Sequence, residues 1–184
     1  MKKRIVYSAF VIVIFLGVLV GYRSINHKYP ERQTVEVAKG EQTKFAEGVD
    51  ISITDFRWFS EEEKKELYHT QNIESDAVTS DEEICEITVM LENRSQVKKT
   101  VEDQYLMLES TGISNGYNFM YEKAFPERYG IEDRTLEAGE KKSVTHLYSI
   151  SSLWFRDKDW EDVKEREYWL TFTSYPIRTI LWLQ

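Results

Sequence analysis

Eighteen consecutive residues, Ile5 to Tyr22 (IVYSAFVIVIFLGVLVGY), contain neither an acid nor a base. As a helix they would rise about 27 Å, close to the roughly 30 Å hydrocarbon core of a bilayer. A core helix of a soluble domain keeps a polar face, and this run has none. It reads as a transmembrane segment. The chain therefore divides into a tail at 1–4, a transmembrane signal-anchor helix at 5–22, and everything beyond.

The same run bears on whether the segment is removed. Signal peptides carry a shorter apolar region that ends in a small-x-small cleavage site. Here the end is Leu19-Val20-Gly21-Tyr22, with Leu where a small residue is wanted, and no cysteine follows to accept a lipid. The expectation is an uncleaved anchor. Lys2, Lys3 and Arg4 precede the run, whereas Arg23 and Lys28 follow it. That asymmetry predicts a cytoplasmic N-terminus and an extracytoplasmic C-terminal part at the cell membrane.

The exported part is acidic. Of 24 Lys and Arg, four lie in the first 26 residues, which hold none of the 32 Asp and Glu; the remainder carries 20 bases, a net of −12. Such a surface repels nucleic acid, so no nucleic-acid partner is expected. Cys85 is the only cysteine, which rules out an intrachain disulfide. It alternates with Ile87, Val89 and Leu91, as a buried hydrophobe on the inner face of a strand does.

Residues 23–33 (RSINHKYPERQ) show no period and read as a linker. From there the pattern becomes period two: Val35 and Val37, then Val49, Ile51 and Ile53, with a glycine turn in AKGEQTK between them. ICEITVML (84–91) is the strongest strand, followed by YLMLES (105–110), SVTHLYSI (143–150), EYWLTFTSY (167–175) and IRTILWL (177–183). At least seven strands emerge.

SEEEKKELYH, from Ser60, is the helical exception. Ser60 and Glu63 form a capping-box pattern, and Glu61 and Lys65 an i, i+4 pair. Its apolar stripe is thin, so 60–83 reads as an insertion decorating the sheet, the part after the helix being polar and loop-like. A second long connection, 110–134, holds Tyr117, Phe119, Tyr121, Phe125 and Tyr129. Loops of this length fold back on the body or bind something. Many short strands without alternating helices predict one all-β domain, an antiparallel sandwich, over 34–184.

LENRS (91–95), STGISNGY (110–117), LEAGEKKSV (136–144) and LYSI (147–150) together resemble the small immunoglobulin-like domains of uncharacterised surface proteins and lipoproteins of Gram-positive bacteria, over roughly residues 34–184. The resemblance implies an immunoglobulin-like β-sandwich on a membrane stalk and supplies no catalytic residues. Apart from it, Asn93 and Ser95 suit a turn closed by their own side chains, Gly139 suits a tight hairpin, and Tyr148 and Ile150 share a core face.

Candidate chemistry is sparse. His27, His69 and His146 are not at metal-ligand spacing, and no nucleophile elbow or zinc-protease helix is present. His146 lies between Val144 and Tyr148 and reads as a satisfied sheet histidine. DKDWED (157–162) fails the calcium-loop pattern at Asp162 and Tyr168. A looser calcium site would use Asp157, Asp159 and Glu161. No catalytic, cofactor or metal residue is assigned. Aromatics stand out: Trp58 and Phe59, and above all Trp154, Phe155 and Trp160, fall at strand ends or in loops, where exposed rings would stack on a glycan or anchor an envelope protein. The chain thus reads as a non-catalytic binding or accessory module at the cell envelope, of unspecified oligomeric state. A structural envelope or stress protein without a discrete ligand is the alternative, and an enzyme a remote third.

Overall fold

The computed structural model describes residues 2–71, 81–129 and 134–184. Most of the polar stretch after Thr70 lies outside these residues. Helix α1 (Lys2–Lys28) contains the apolar run and continues six residues past it. Arg23–Lys28 is therefore helical where the sequence suggested an irregular linker, and only 29–32 separate helix from strand. The reason is local: helical hydrogen bonding simply continues until Pro30 approaches, with Tyr29 N–H donating to Ile25 C=O. The window Phe10–Lys28 is long and apolar enough to cross a membrane, and none of it is buried.

Beyond the helix two sheets face each other. One orders β1 (Gln33–Val37), β11 (Ile177–Trp182), β10 (Trp169–Thr171), β6 (Met107–Ser110) and β7 (Ile113–Gly116); the other orders β2 (Thr43–Ala46), β3 (Val49–Trp58), β4 (Glu82–Asn93) and β9 (Lys141–Ser151). A small ladder joins β5 (Lys99–Thr100) to β8 (Thr135–Leu136). One pair departs from the expected antiparallel arrangement: β1 runs parallel to β11, Gln33 opposite Ile177 and Val37 opposite Leu181. A hairpin can make only antiparallel neighbours; β1 and β11 lie at opposite ends of the domain's sequence and are free of that constraint.

The central core follows from alternation. Cys85, Ile87, Val89 and Leu91 of β4, with Ile51 and Ile53 of β3 and Tyr148 and Ile150 of β9, meet Leu108, Leu170 and Leu181 of the other sheet. Cys85 is fully buried, and burial pushes its thiol far above the usual range. Val101, Leu106 and Leu136 close the core from the loops. Asn93 holds the turn as its sequence suggested: its Oδ1 accepts from Ser95 N–H at 2.9 Å, and its Nδ2 donates to the carbonyls of Val97, Leu136 and Glu137. Gly139 adopts φ 76° in the turn between β8 and β9; these strands pair with β5 and β4 and not with each other, so the turn is not the hairpin that its sequence suggested.

The two long connections cover the outer face of β4 and β9. Helix α2 (Glu61–Thr70) carries the capping box at Ser60 and Glu63. Lys64, not Lys65, pairs with Glu61, at 2.6 Å, and it also reaches Glu83 at the start of β4. Leu67 is fully buried with Phe59, Ile84, Tyr129 and Leu147 in a second apolar cluster, so the thin stripe sufficed to dock the helix. Helix α3 (Phe119–Glu122) and the residues to Tyr129 complete the cover. Glu86 Oε2 ties it down, accepting from Arg57, Arg128 and the Tyr129 hydroxyl. Tyr68 and Tyr121 both donate to Glu82 Oε2.

Candidate functional site

The two ends of the sandwich differ. Chain entry, the start of β1 and β11, the β2–β3 hairpin and the end of β4 share one end, as the pairs Gln33–Ile177, Thr43–Ile51 and Val49–Asn93 require. The opposite end holds the close of β9, where Ser151 faces Glu82 and Ser152 N–H donates to Asp81 C=O. β9 alone separates the ends by about 35 Å at the usual rise per residue.

Trp154, Phe155 and Trp160 sit at the far end, just beyond β9. They are not equivalent. Phe155 and Trp160 contact each other, with centroids 5.7 Å apart, and pack against the main core, Arg166 lying over the Phe155 ring. Trp154 stays 47% exposed beside Leu153 at 74%. The helical turn α4 (Asp157–Trp160) follows, and Arg156 Nε donates to Asp159 Oδ2 at 2.6 Å. This ion pair holds Asp159 below the usual carboxylate range. The acidic loop is thus a helical turn with one carboxylate engaged, and no group of three acids, histidines or cysteines that could hold a metal ion occurs among the described residues. Trp58 packs edge-on to Phe56 and Tyr168, and Phe59 is buried under α2.

His146 is 2% exposed and lies between two carboxylates. Nδ1 is 2.9 Å from Glu122 Oε1, which also accepts from Leu147 N–H. Nε2 is 3.1 Å from Asp103 Oδ2, close enough for an ion pair but not aligned as a hydrogen bond. Tyr117 stacks on the ring at 4.4 Å, and Arg134 approaches Asp103 from outside at 3.3 Å. Burial opposes charge on the imidazole, yet the two carboxylates outweigh it and the pKa stands above the ordinary histidine value. The period-two pattern placed His146 inside but could not reveal its acidic partners, which come from connections 43 residues back in the chain and 24 residues back.

A feature invisible in the sequence lies at the chain-entry end. An open groove of about 390 Å³ runs between the outer strands β1 and β2, lined chiefly by Val35, Phe45, Phe172, Tyr175 and Ile177. A second hollow of about 320 Å³ continues past Phe45 and Phe172 to Tyr105. Phe45 and Phe172 meet edge-on at 4.9 Å and form the floor they share. Residues from three separated stretches make the groove, so no local pattern announces it.

A β-sandwich carrying an N-terminal helix of membrane-spanning length is thus the class that these elements define. Within that class, the chain belongs to the family described as "Domain of unknown function (DUF5028)", whose model matches residues 26–179. Similar solved structures include a functionally unknown protein from Listeria monocytogenes EGD-e, at 11% identity and TM-score 0.47 over 73% of this chain and 72% of that one. An uncharacterised β-sandwich protein from Clostridium difficile 630 matches at 12% and 0.48, over 84% and 97%. A conserved hypothetical protein from Bacillus anthracis matches at 12% and 0.45, over 80% and 95%. No curated protein matches.

Proposed function

We propose that this is a single-pass membrane protein with a cytoplasmic N-terminus, whose extracytoplasmic, immunoglobulin-like sandwich acts by binding, without catalysis or cofactor, as an accessory module of the cell envelope. The observation that carries this reading is the opposition of the two ends. An apolar helix enters at one, and an exposed Leu153–Trp154 pair stands about 35 Å away at the other. An anchor that fixes one end leaves the far end to meet a partner, and exposed tryptophan is the residue type most often dominant in such contacts. The net acidity of the domain keeps it off nucleic acid.

Crosslinking in intact membranes followed by pull-down tests it. One stoichiometric envelope partner, retained with the wild type and lost with Trp154→Ala, is the expected result. Recovery of no specific partner would instead favour a structural envelope role without a discrete ligand. N-terminal sequencing of the mature chain tests the anchor separately, since a chain beginning at Tyr22 is incompatible with it.

A further inference from the structure

The groove at the chain-entry end has no role in the distal contact proposed above. Its rim is apolar and open: Tyr175 is 50% exposed, Ile177 44% and Val35 42%. Its position relative to α1 is fixed by the strand register. Gln33, the first strand residue, pairs with Ile177, and its N–H donates to Pro176 C=O. The rim is thus built on the residues at which the chain enters the domain.

Distance then limits what this rim can meet. Residues 29–32 span at most about 14 Å when fully extended. If 5–22 cross the hydrocarbon, the six further helical residues rise about 9 Å, whereas each headgroup layer is only about 5–7 Å thick. If Phe10–Lys28 is the crossing window, four residues alone separate the rim from the hydrocarbon edge. In this second case the rim is within contact range of the lipid surface, whereas in the first the helix ends about 2–4 Å beyond the headgroups and residues 29–32 must turn back for the rim to reach them.

Charge points the same way. Residues 28–48 and 172–178 together hold five bases and four acids, whereas 49–171 with 179–184 hold 15 bases and 28 acids. The segments that lead into and form the groove are close to neutral on an otherwise acidic domain. An anionic bilayer surface repels the rest of the domain and spares this end. Tyrosine is moreover a side chain suited to the interface, with an apolar ring and a polar tip.

We infer that the rim formed by Val35, Tyr175 and Ile177 seats in the interfacial layer of the membrane that α1 crosses, so that the sandwich stands on the lipid surface with Trp154 pointing away. This contact rests on the anchor proposed above. It converts a flexible tether into a platform and sets the height at which the far end is presented.

The test uses the full chain in nanodiscs of phosphatidylcholine and phosphatidylglycerol, one chain per disc. An environment-sensitive fluorophore is attached at Tyr175→Cys, at Ser174→Cys as a second rim position, and at Lys158→Cys on the far end. Cys85 is buried and leaves no background. The expected result is a blue shift and several-fold stronger quenching by brominated lipid at the two rim positions than at Lys158→Cys. Equal exposure at all three positions, in chains retained by the discs after an alkaline wash, overturns the lipid contact while leaving the anchor intact. Loss of the chain from the discs in that wash overturns the anchor and the contact with it. A rim shift seen only when two chains share a disc overturns the lipid contact in favour of a second copy.

Discussion

The two flanks of the sandwich solve the same problem in opposite ways. Each flank brings together the outer strands of both sheets, whose unpaired backbone groups need partners. On one flank, β7 and β9 are sealed. Asn115 Nδ2 donates to Ser149 C=O, Asn118 N–H to Leu147 C=O, and Leu147 N–H to Glu122. Behind this seal, Glu122, His146 and Asp103 form a buried cluster. On the other flank, β1 and β2 stand apart over the Phe45–Phe172 floor and leave a groove. The sealed side spends long connections and buried charge on order. The open side leaves apolar surface at Val35, Tyr175 and Ile177 in water.

The comparison predicts that damage to the sealed flank unfolds the domain. Glu122→Ala leaves His146 facing one misaligned carboxylate and orphans Leu147 N–H; a loss of about 3–5 kcal/mol is expected in urea unfolding. A loss below about 1 kcal/mol would show that the cluster is incidental. The wild type should also depend on pH, by less, because a neutral imidazole still donates to Glu122. The folded pKa of His146 is raised, so its stabilisation is complete below the unfolded value of about 6.5 and disappears as pH rises through the folded value. The groups facing the ring are Asp103 and Glu122, with Tyr117 stacked on it, and Arg134 lies behind Asp103. His146→Gln should flatten the dependence; a midpoint that climbs with pH in the wild type contradicts it.

How much of this was legible depends on the range of the interaction. Period-two patterns located β3, β4 and β9 and their inner faces, because alternation is written in neighbouring residues, and β11 reads as a strand without a face. The Ser60–Glu63 box located α2 for the same reason. β2, β5, β7 and β8 have two to four residues each, too few for a period to show, and they exist because longer strands template them. No local pattern marks Asp103 and Glu122 as partners of His146; the fold carries them there. Of the aromatics singled out, Phe155 and Trp160 turn inward and Trp154 outward; identical residue types in one loop gave no means to tell them apart.

Two turns near the chain-entry end allow finer measurement. Asn93→Ala removes three donated hydrogen bonds, that to the Leu136 carbonyl buried, and the acceptor for Ser95, and should cost about 1–3 kcal/mol. Gly48 adopts φ 77°, and a Cβ there would lie 2.9 Å from Ser95 Cβ. Gly48→Ala is therefore expected to destabilise by roughly 1 kcal/mol. Both are read by urea midpoint, and a neutral Asn93→Ala would mean that water replaces the side chain in the turn.

The smallest effect is expected where the surface is most apolar. Tyr175→Ser and Ile177→Ser remove rings and branches that lie about half in water and hold no strand in place, so each should shift stability by within about 0.5 kcal/mol. The same substitutions should loosen the domain on a nanodisc, seen as greater rotational freedom of a label at Lys158→Cys, because apolar area that water already covers contributes to contact and not to folding. A drop above about 1 kcal/mol in the free protein would place the rim among the structural residues and make the two flanks alike. Unchanged stability together with unchanged mobility on the disc would leave the flanks different in build but not in use. Only the first half of the contrast, stability kept and mobility gained, separates a surface built for the fold from one built for the membrane.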